Sequence, residues 1–344
     1  MSVPSATLVF ASLVVALPAT GCLEDLPEPS RVEGLRVLGV RAEPPQVQPG
    51  DSVALDALVV DTEGRARTLS WSWCLIPEPG FGFFSGGSEV SSSGGKGASL
   101  DDPGSCARRA AAGERWSGLL GDGDGANLVV PADLFDTQDA LKAFYQLPDV
   151  DIPEQIAAGL LGVSGVNLTI TLVVETDDGE RLVTHKRLNV GAPSPLPNNA
   201  PNQNPTDLAF HLSKVSDRIV APQTALPPTG GRCFLDEDAG LALSRDETWL
   251  IQPVNIPDPQ ASYLILLTSL EGDSPFDLQE RQENYFYSFF SDVGTIAKSV
   301  SKASAQPETE WVIPDDPPDA AHFWIVVRDA RGGVQWCSSQ VPIQ

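Results

Sequence analysis

The chain has 344 residues, 42% of them hydrophobic, and sets 46 Asp and Glu against 22 Lys and Arg for a formal net charge of −24. That length and apolar content suit two domains with substantial cores. The acidity argues against nucleic-acid binding, because phosphate backbones and anionic membrane surfaces repel such a chain. His185, His211 and His322 are far apart in sequence and form no ligand spacing, and the five cysteines contain no Cys-x-x-Cys pair. Zinc-binding and thioredoxin-like roles therefore have no support.

Residues 1–23 carry no charged side chain. Ala6 to Leu17 is an apolar run too short to span a bilayer as a helix, which takes about 20 residues. It has the form of the hydrophobic region of a secretory signal, expected over residues 1–21 and removed before folding. The small residues Ala19 and Gly21 followed by Cys22 resemble the lipobox of bacterial lipoproteins. The resemblance implies cleavage before Cys22 and acylation there. More than one acyl chain gives stable membrane attachment where one gives only marginal binding. Leu23 in place of Asp implies, in such lipoproteins, the outer membrane. With Cys22 assigned to lipid, Cys74, Cys106, Cys233 and Cys337 remain. An even number in an exported chain reads as two disulfides, and three pairings are open. Placement favours Cys74–Cys106 and Cys233–Cys337, one pair in each half.

Residues 22–33, acidic and Pro-containing, read as a tether. A β-run from Gly34 ends at Pro44-Pro45, Pro49-Gly50 turns the chain, and a second run covers 52–60. After the turn Asp61-Thr-Glu-Gly64, the segment 69–75 alternates strictly. Leu69, Trp71, Trp73 and Leu75 share one face, expected to be the core face. The motifs Glu43-Pro-Pro-x-Val-x-Pro-Gly-Asp-x-Val-x-Leu, Asp61-x-x-Gly64 and Ser70-Trp-Ser-Trp73 resemble the immunoglobulin-like and PKD-like modules of bacterial surface proteins. The resemblance implies a β-sandwich. It departs at Cys74, which falls on the face opposite Trp73, so its disulfide would tie down the segment that follows and not cross the core.

Residues 76–165 are expected as an insertion into this first domain, which spans 34–190. The stretch 80–105 is rich in Gly and Ser. Residues 136–147 carry a capping Asp136 and an apolar stripe of Leu141, Phe144 and Tyr145. Residues 151–162 carry Pro153 in the first turn and Gly162 past the end. Both read as short helices. Strands at 166–175 and 181–190, turned at Asp177-Asp-Gly179, complete the sandwich. The uncharged Pro/Asn-rich stretch 191–206 reads as a linker. The second domain, 207–344, offers strands at 207–213, 247–254, 262–270, 284–291, 308–313, 321–328 and 333–338. Both halves contain an Asp-x-x-Gly turn followed by a strand ending Trp-Cys, at 61–74 and 329–337, which hints at two related sandwiches.

Few motifs carry chemistry. Gly121-Asp-Gly-Asp-Gly-Ala-Asn127 places Asp122, Asp124 and Asn127 as oxygen donors in a calcium-like spacing, without the terminal Glu of an EF-hand. A plain Gly/Asp turn is the favoured reading. Ser299-Val-Ser-Lys302 has the S-x-x-K form of serine acyl-enzymes without its companion motifs. Gly94-Gly-Lys96 is followed by Gly97 and is no phosphate-binding loop. Asn167-Leu-Thr169 fits a glycosylation sequon but falls mid-strand. Tyr285 to Phe290 reads as a strand buried on both faces, with an aromatic binding surface as the alternative.

The expected protein is mainly β: two immunoglobulin-like β-sandwich domains, the first with a small helical insertion. It is an exported, membrane-anchored lipoprotein of the outer membrane without catalytic residues or cofactor, serving the cell envelope as a binding or structural module. Its partners are the membrane, through lipid, and an envelope protein or a glycan. The alternatives are an enzyme of unrecognised type with its site in 76–165, and a calcium-stabilised structural module.

Overall fold

The structure, a computed structural model, describes residues 28–75, 105–134, 165–191, 201–217, 228–235, 243–245, 247–254, 262–268, 276–303 and 307–344. Cys22, the signal and most of the tether, residues 80–104, and the helices expected at 136–147 and 151–162 lie outside the described residues.

β-Branched and aromatic residues at period two build the first half. β1 (Leu35–Glu43) runs antiparallel to β3 (Ser52–Asp61), with Glu43 opposite Ala54 and Leu35 opposite Asp61. β6 (Gly125–Val129) adds to the free edge of β3. The facing sheet is ordered β2 (Gln46–Val47), β8 (Arg181–Val190), β7 (Val166–Thr176), β4 (Arg67–Cys74) and β5 (Ser117–Asp122). Between the sheets lies one core containing Val53, Leu55, Leu128, Leu168, Ile170, Leu172 and Leu188. Leu69, Trp71, Trp73 and Leu75 all belong to it, as their alternation predicts. Each such side chain contributes roughly 1.5–3 kcal/mol by leaving water.

The span 76–165, expected as a helical insertion, is corrected where it is described: β5 and β6 are strands of the two sheets themselves. The chain crosses from one sheet to the other at Gly121–Gly125, where Gly121 and Gly123 take φ of 97° and 142°. The short helix α1 (Ser105–Ala111) covers the outer face of β4 and brings Cys106 to Cys74, at a Cα separation of 5.1 Å. Cys74 therefore points away from the core, as its place beside Trp73 requires.

The second half has two sheets of four strands. One is ordered β14 (Thr295–Ile296), β16 (Thr309–Val312), β10 (Thr248–Val254), β9 (Ala209–Lys214). The other is β15 (Val300–Lys302), β13 (Tyr285–Ser291), β17 (Ala320–Asp329), β18 (Val334–Pro342). A separate hairpin joins β11 (Ser262–Thr268) to β12 (Phe276–Gln282). Aromatic rings fill the core: Trp311 meets Phe323 edge-on at 4.9 Å, and Phe210 meets Tyr287 at 6.1 Å. Such edge contacts favour the ring quadrupoles. The Cys233–Cys337 disulfide joins β18 of one sheet to the segment beside β9 of the other, so it crosses this core.

The outer faces of β1–β3 and of β13–β17–β18 pack on each other. Val32, Leu38, Val60, Val326 and Val334 form a buried cluster there, flanked by Leu58, Phe290, Trp324 and Trp336. Four sheets thus stack in series. The close approach needs Gly39: a Cβ at that position would lie 3.3 Å from the Trp336 ring.

Candidate functional site

The residues expected as a linker, 191–206, do not form a free spacer where they are described. Asn202 and Asn204 are buried between the halves. The Asn202 N–H donates to Gln46 Oε1 (2.9 Å), and its Nδ2 donates to Asp329 Oδ2 (3.0 Å). Asn204 Nδ2 donates to the Ala42 carbonyl (2.7 Å) and Glu43 Oε2 (2.6 Å), while its Oδ1 accepts from the Val334 N–H (2.8 Å). Each asparagine therefore joins the first half to the second. We call this segment the strap.

Charged groups line the same joint. Asp329 closes the β17–β18 turn by accepting from the N–H groups of Arg331 and Gly333, both at 2.7 Å. Lys186, on β8 of the first half, donates to the Gly332 carbonyl of the second. Burial pulls its ammonium down to about 8, with the Asp329 carboxylate opposing the shift and Arg328 adding to it. Arg328 donates to the Leu38 carbonyl (2.6 Å) and to Ser288 Oγ (3.0 Å), and burial lowers its pKa too. Arg41 lies over the Trp336 ring at 4.7 Å and donates to Gln335 Oε1 (2.6 Å).

Beside the strap opens a cleft of about 350 Å³, within the range of small-molecule sites. Its lining includes Asp207, Glu283, Tyr285, Tyr287 and Arg331. Glu283 sits between β12 and β13 and is only 7% exposed. Tyr285 donates to its Oε2 at 3.3 Å. Its Oε1 is shielded from solvent and has no hydrogen-bond partner. Arg331 Nη1 forms a loose ion pair with it at 4.0 Å, beyond hydrogen-bond reach. Burial raises the Glu283 carboxyl, helped by Asp329 and opposed by Arg331 and Tyr285. Burial pushes Tyr285 up to about 12, and the charge of Glu283 adds to this; Tyr287 rises further, again from burial. The guanidinium of Arg331 lies over the Tyr263 ring at 5.1 Å and donates to Gln46 Oε1 at 3.0 Å, so the cleft is coupled to the strap and to the first half.

The positions singled out in the sequence fall elsewhere. Cys22 is outside the described residues, as is Gly94–Gly97. Asp122, Asp124 and Asn127 are exposed where the chain crosses between sheets, and the Gly123 carbonyl there accepts from Trp71 Nε1 at 2.9 Å. Among the described residues no three His, Cys, Asp or Glu side chains are grouped to hold a metal ion. Ser299 precedes β15, and Lys302 lies over the Phe286 ring at 5.3 Å. Asn167 faces Asn189, whose Nδ2 donates to it at 3.3 Å. His322 pairs with Asp292 at 2.7 Å and stacks on Trp324, while His185 contacts Thr171. His211 sits on β9, opposite Gln252 of β10. The aromatic strand 285–290 is covered on both faces: Tyr287 and Phe289 enter the second core, and Phe290 enters the joint. Glu283, Arg331 and the strap asparagines were not visible as a site. The signal available for them was a charged residue just before an aromatic run, and two asparagines two positions apart inside a Pro-rich stretch.

Among the described residues no helix is long and apolar enough to cross a membrane. No family model and no curated protein matches the chain. Among solved structures it is similar to a surface glycan-binding protein of Bacteroides ovatus from a mixed-linkage glucan utilization locus, solved with a heptasaccharide, at 11% identity and a TM-score of 0.18. That match covers 91% of this chain and 48% of the other, so the chain spans about half of that protein. It is also similar to the Yersinia pseudotuberculosis adhesin InvE, at 10% identity over 89% of this chain and 58% of that one with a TM-score of 0.18. A third likeness is to the D0-D1 domain of intimin, at 9% identity over 89% of this chain and 98% of that one with a TM-score of 0.17. These neighbours are β-domain proteins, and likenesses this low carry no argument about activity or partner.

Proposed function

We propose that this protein is an exported lipoprotein, held to the bacterial outer membrane through an acylated Cys22, and that it serves the envelope as a non-catalytic binding or structural module. The observation that carries the binding part of this reading is the cleft at the joint, with a buried carboxylate oxygen that the protein itself leaves without a donor. The two disulfides support export, since oxidising compartments are where such bonds persist. The strap supports a module that presents both halves as one body, because its hydrogen bonds run to each of them.

Two experiments test this. Palmitate labelling of the full chain, with Cys22→Ala as control, is expected to give a labelled protein and an unlabelled variant; equal labelling of both removes the anchor. Crosslinking on intact cells is expected to recover an envelope protein or a glycan. Recovery of neither counts against the binding role.

A further inference from the structure

We propose that a short leash holds this module to the membrane by the Glu28 end of the joint, so that the strap and its cleft open away from the lipid. This rests on the reading of the chain as a lipoprotein acylated at Cys22, and adds which surface meets the bilayer.

The sequence reads residues 22–33 as a tether, but residues 28–32 belong to the fold. Arg31 forms a parallel bridge with Ser291 at the end of β13. The Val32 N–H donates to the Ser291 carbonyl (2.9 Å), and the Ser291 N–H donates to the Ser30 carbonyl (3.0 Å). Glu28 Oε1 accepts from the Ile296 N–H (3.2 Å) and from Ser30 Oγ (2.7 Å). Arg36 Nη1 donates to the carbonyls of Pro29 (2.9 Å) and Arg31 (2.7 Å). Ser30 and Val32 are buried, and Val32 lies in the apolar cluster between the halves. Satisfied backbone groups and a buried apolar side chain together fix this segment.

Register sets the two ends of the joint. β1 starts at Leu35, beside this segment, and finishes at Glu43, which meets Asn204 of the strap. Across the joint, β13 ends at Ser291, while Tyr285 at its start lies opposite Asp329 and lines the cleft. The nine residues of β1 therefore hold the Glu28 end and the strap end about 27 Å apart, at the rise of an antiparallel strand.

The leash is what remains, the six residues from Cys22 to Pro27. Fully extended it reaches about 20 Å. A molecule standing on its strap end would need a reach of about 27 Å, so that pose is barred. Among the poses left, the Glu28 end lies nearer the bilayer on average. Were residues 28–32 free as well, the leash would reach about 37 Å and the molecule could turn over. Docking of this segment thus aims the cleft outward, toward occupants arriving from solution.

The test uses the acylated full chain in vesicles of phosphatidylethanolamine and phosphatidylglycerol with an acceptor dye on a headgroup. A donor dye is attached through an encoded azide side chain, which spares the cysteines. It is placed at Thr295, beside Ile296, or at Gln48, just past β2 at the strap end, where the Asn202 N–H meets Gln46; both positions are exposed. Energy transfer is expected to be stronger from Thr295 than from Gln48. Inserting about 30 Gly and Ser residues between Pro27 and Glu28 gives a flexible leash with an r.m.s. length of about 30 Å and is expected to erase most of that difference. Equal transfer from the two sites, or stronger transfer from Gln48, overturns the orientation. A difference unchanged by the insertion does so too, because the leash then does not set it. A wild-type chain that stays off the vesicles, as Cys22→Ala should, overturns the lipoprotein reading as well, whereas equal transfer from a bound chain leaves that reading standing.

Discussion

The two Trp-Cys pairs occupy opposite environments. In β4, Trp73 enters the first core, and Cys74 faces outward to Cys106 on α1. In β18, Cys337 enters the second core to meet Cys233, and Trp336 faces outward into the joint, under Arg41. The Asp-x-x-Gly turns before them differ in the same way. Asp61 and Asp329 both accept from backbone N–H groups of their turns. Yet Asp61 lies on a passage between two sheets and is ringed by charges of its own half, while Asp329 closes a hairpin and holds the strap. A strand turns over at every residue, so register alone decides which of two neighbours is inside. Identical words in the sequence therefore carry different physical roles.

The largest test of this contrast is Asp329→Ala against Asp61→Ala. Removing Asp329 strips acceptors from two turn N–H groups and Asn202 and leaves Lys186 short of its counter-charge. We expect a loss of about 3–5 kcal/mol in urea unfolding. The loss from Asp61→Ala is expected to be smaller; equal losses would erase the distinction. Next comes Gly39→Val, which drives a branched side chain into the Trp336 ring and should cost about 1–3 kcal/mol. The joint should loosen, read as quenchable Trp fluorescence, while both disulfides stay intact.

Lys186→Met should change stability by no more than about 1.5 kcal/mol at neutral pH, because an apolar residue relieves a buried charge while orphaning the Gly332 carbonyl. Its signature is in the pH profile. The folded pKa of Lys186 is about 8 against an ordinary 10.5, so across that window the unfolded chain binds more protons. Stability should therefore rise with pH from about 8 to 10.5 in the wild type, and this rise should vanish in the variant. The smallest effect concerns the other turn. Hydrogen bonds from Arg65, ahead of the opposing effect of burial, hold Asp61 down to about 2 from 3.8. Its contribution is present above the ordinary value and lost as pH falls toward 2, and Asp61→Asn should flatten that acid limb alone.

Much of the architecture was legible because it is local. The alternation of 69–75 placed two tryptophans in a core, and Asp177-Asp-Gly179 marked a hairpin that β7 and β8 form. The strands of the second half fall within a few residues of their expected bounds, although β18 runs on to Pro342. β5, β6 and β12 were not foreseen. Ser117–Asp122 and Gly125–Val129 are short, Gly-containing and half exposed, so they lack the apolar alternation of an inner strand. Phe276–Gln282 is mostly polar and, among the described strands, pairs only with β11. None of the three has strong propensity of its own, and each is a strand because a neighbour offers it hydrogen bonds.

The candidate site was hardly legible at all. The sequence marked Asp122, Asp124 and Asn127, which the fold leaves exposed at a crossing, and passed over Glu283 and Arg331. These two residues stand 48 positions apart, and only their elements bring them within 4.0 Å. Burial, not residue type, makes Glu283 unusual in a chain with 46 acidic residues.

By itself the sequence determined what depends on near neighbours: a β-rich chain, the inward faces of its best strands, and its turns. Tertiary structure decided what depends on distant neighbours. It stacked the outer sheet faces into a joint, made a Pro/Asn stretch into a strap, put one Trp-Cys pair in reverse, and left one carboxylate oxygen without a donor. Hydrophobic periodicity is written residue by residue, whereas burial of a polar group exists only once two remote surfaces have closed over it.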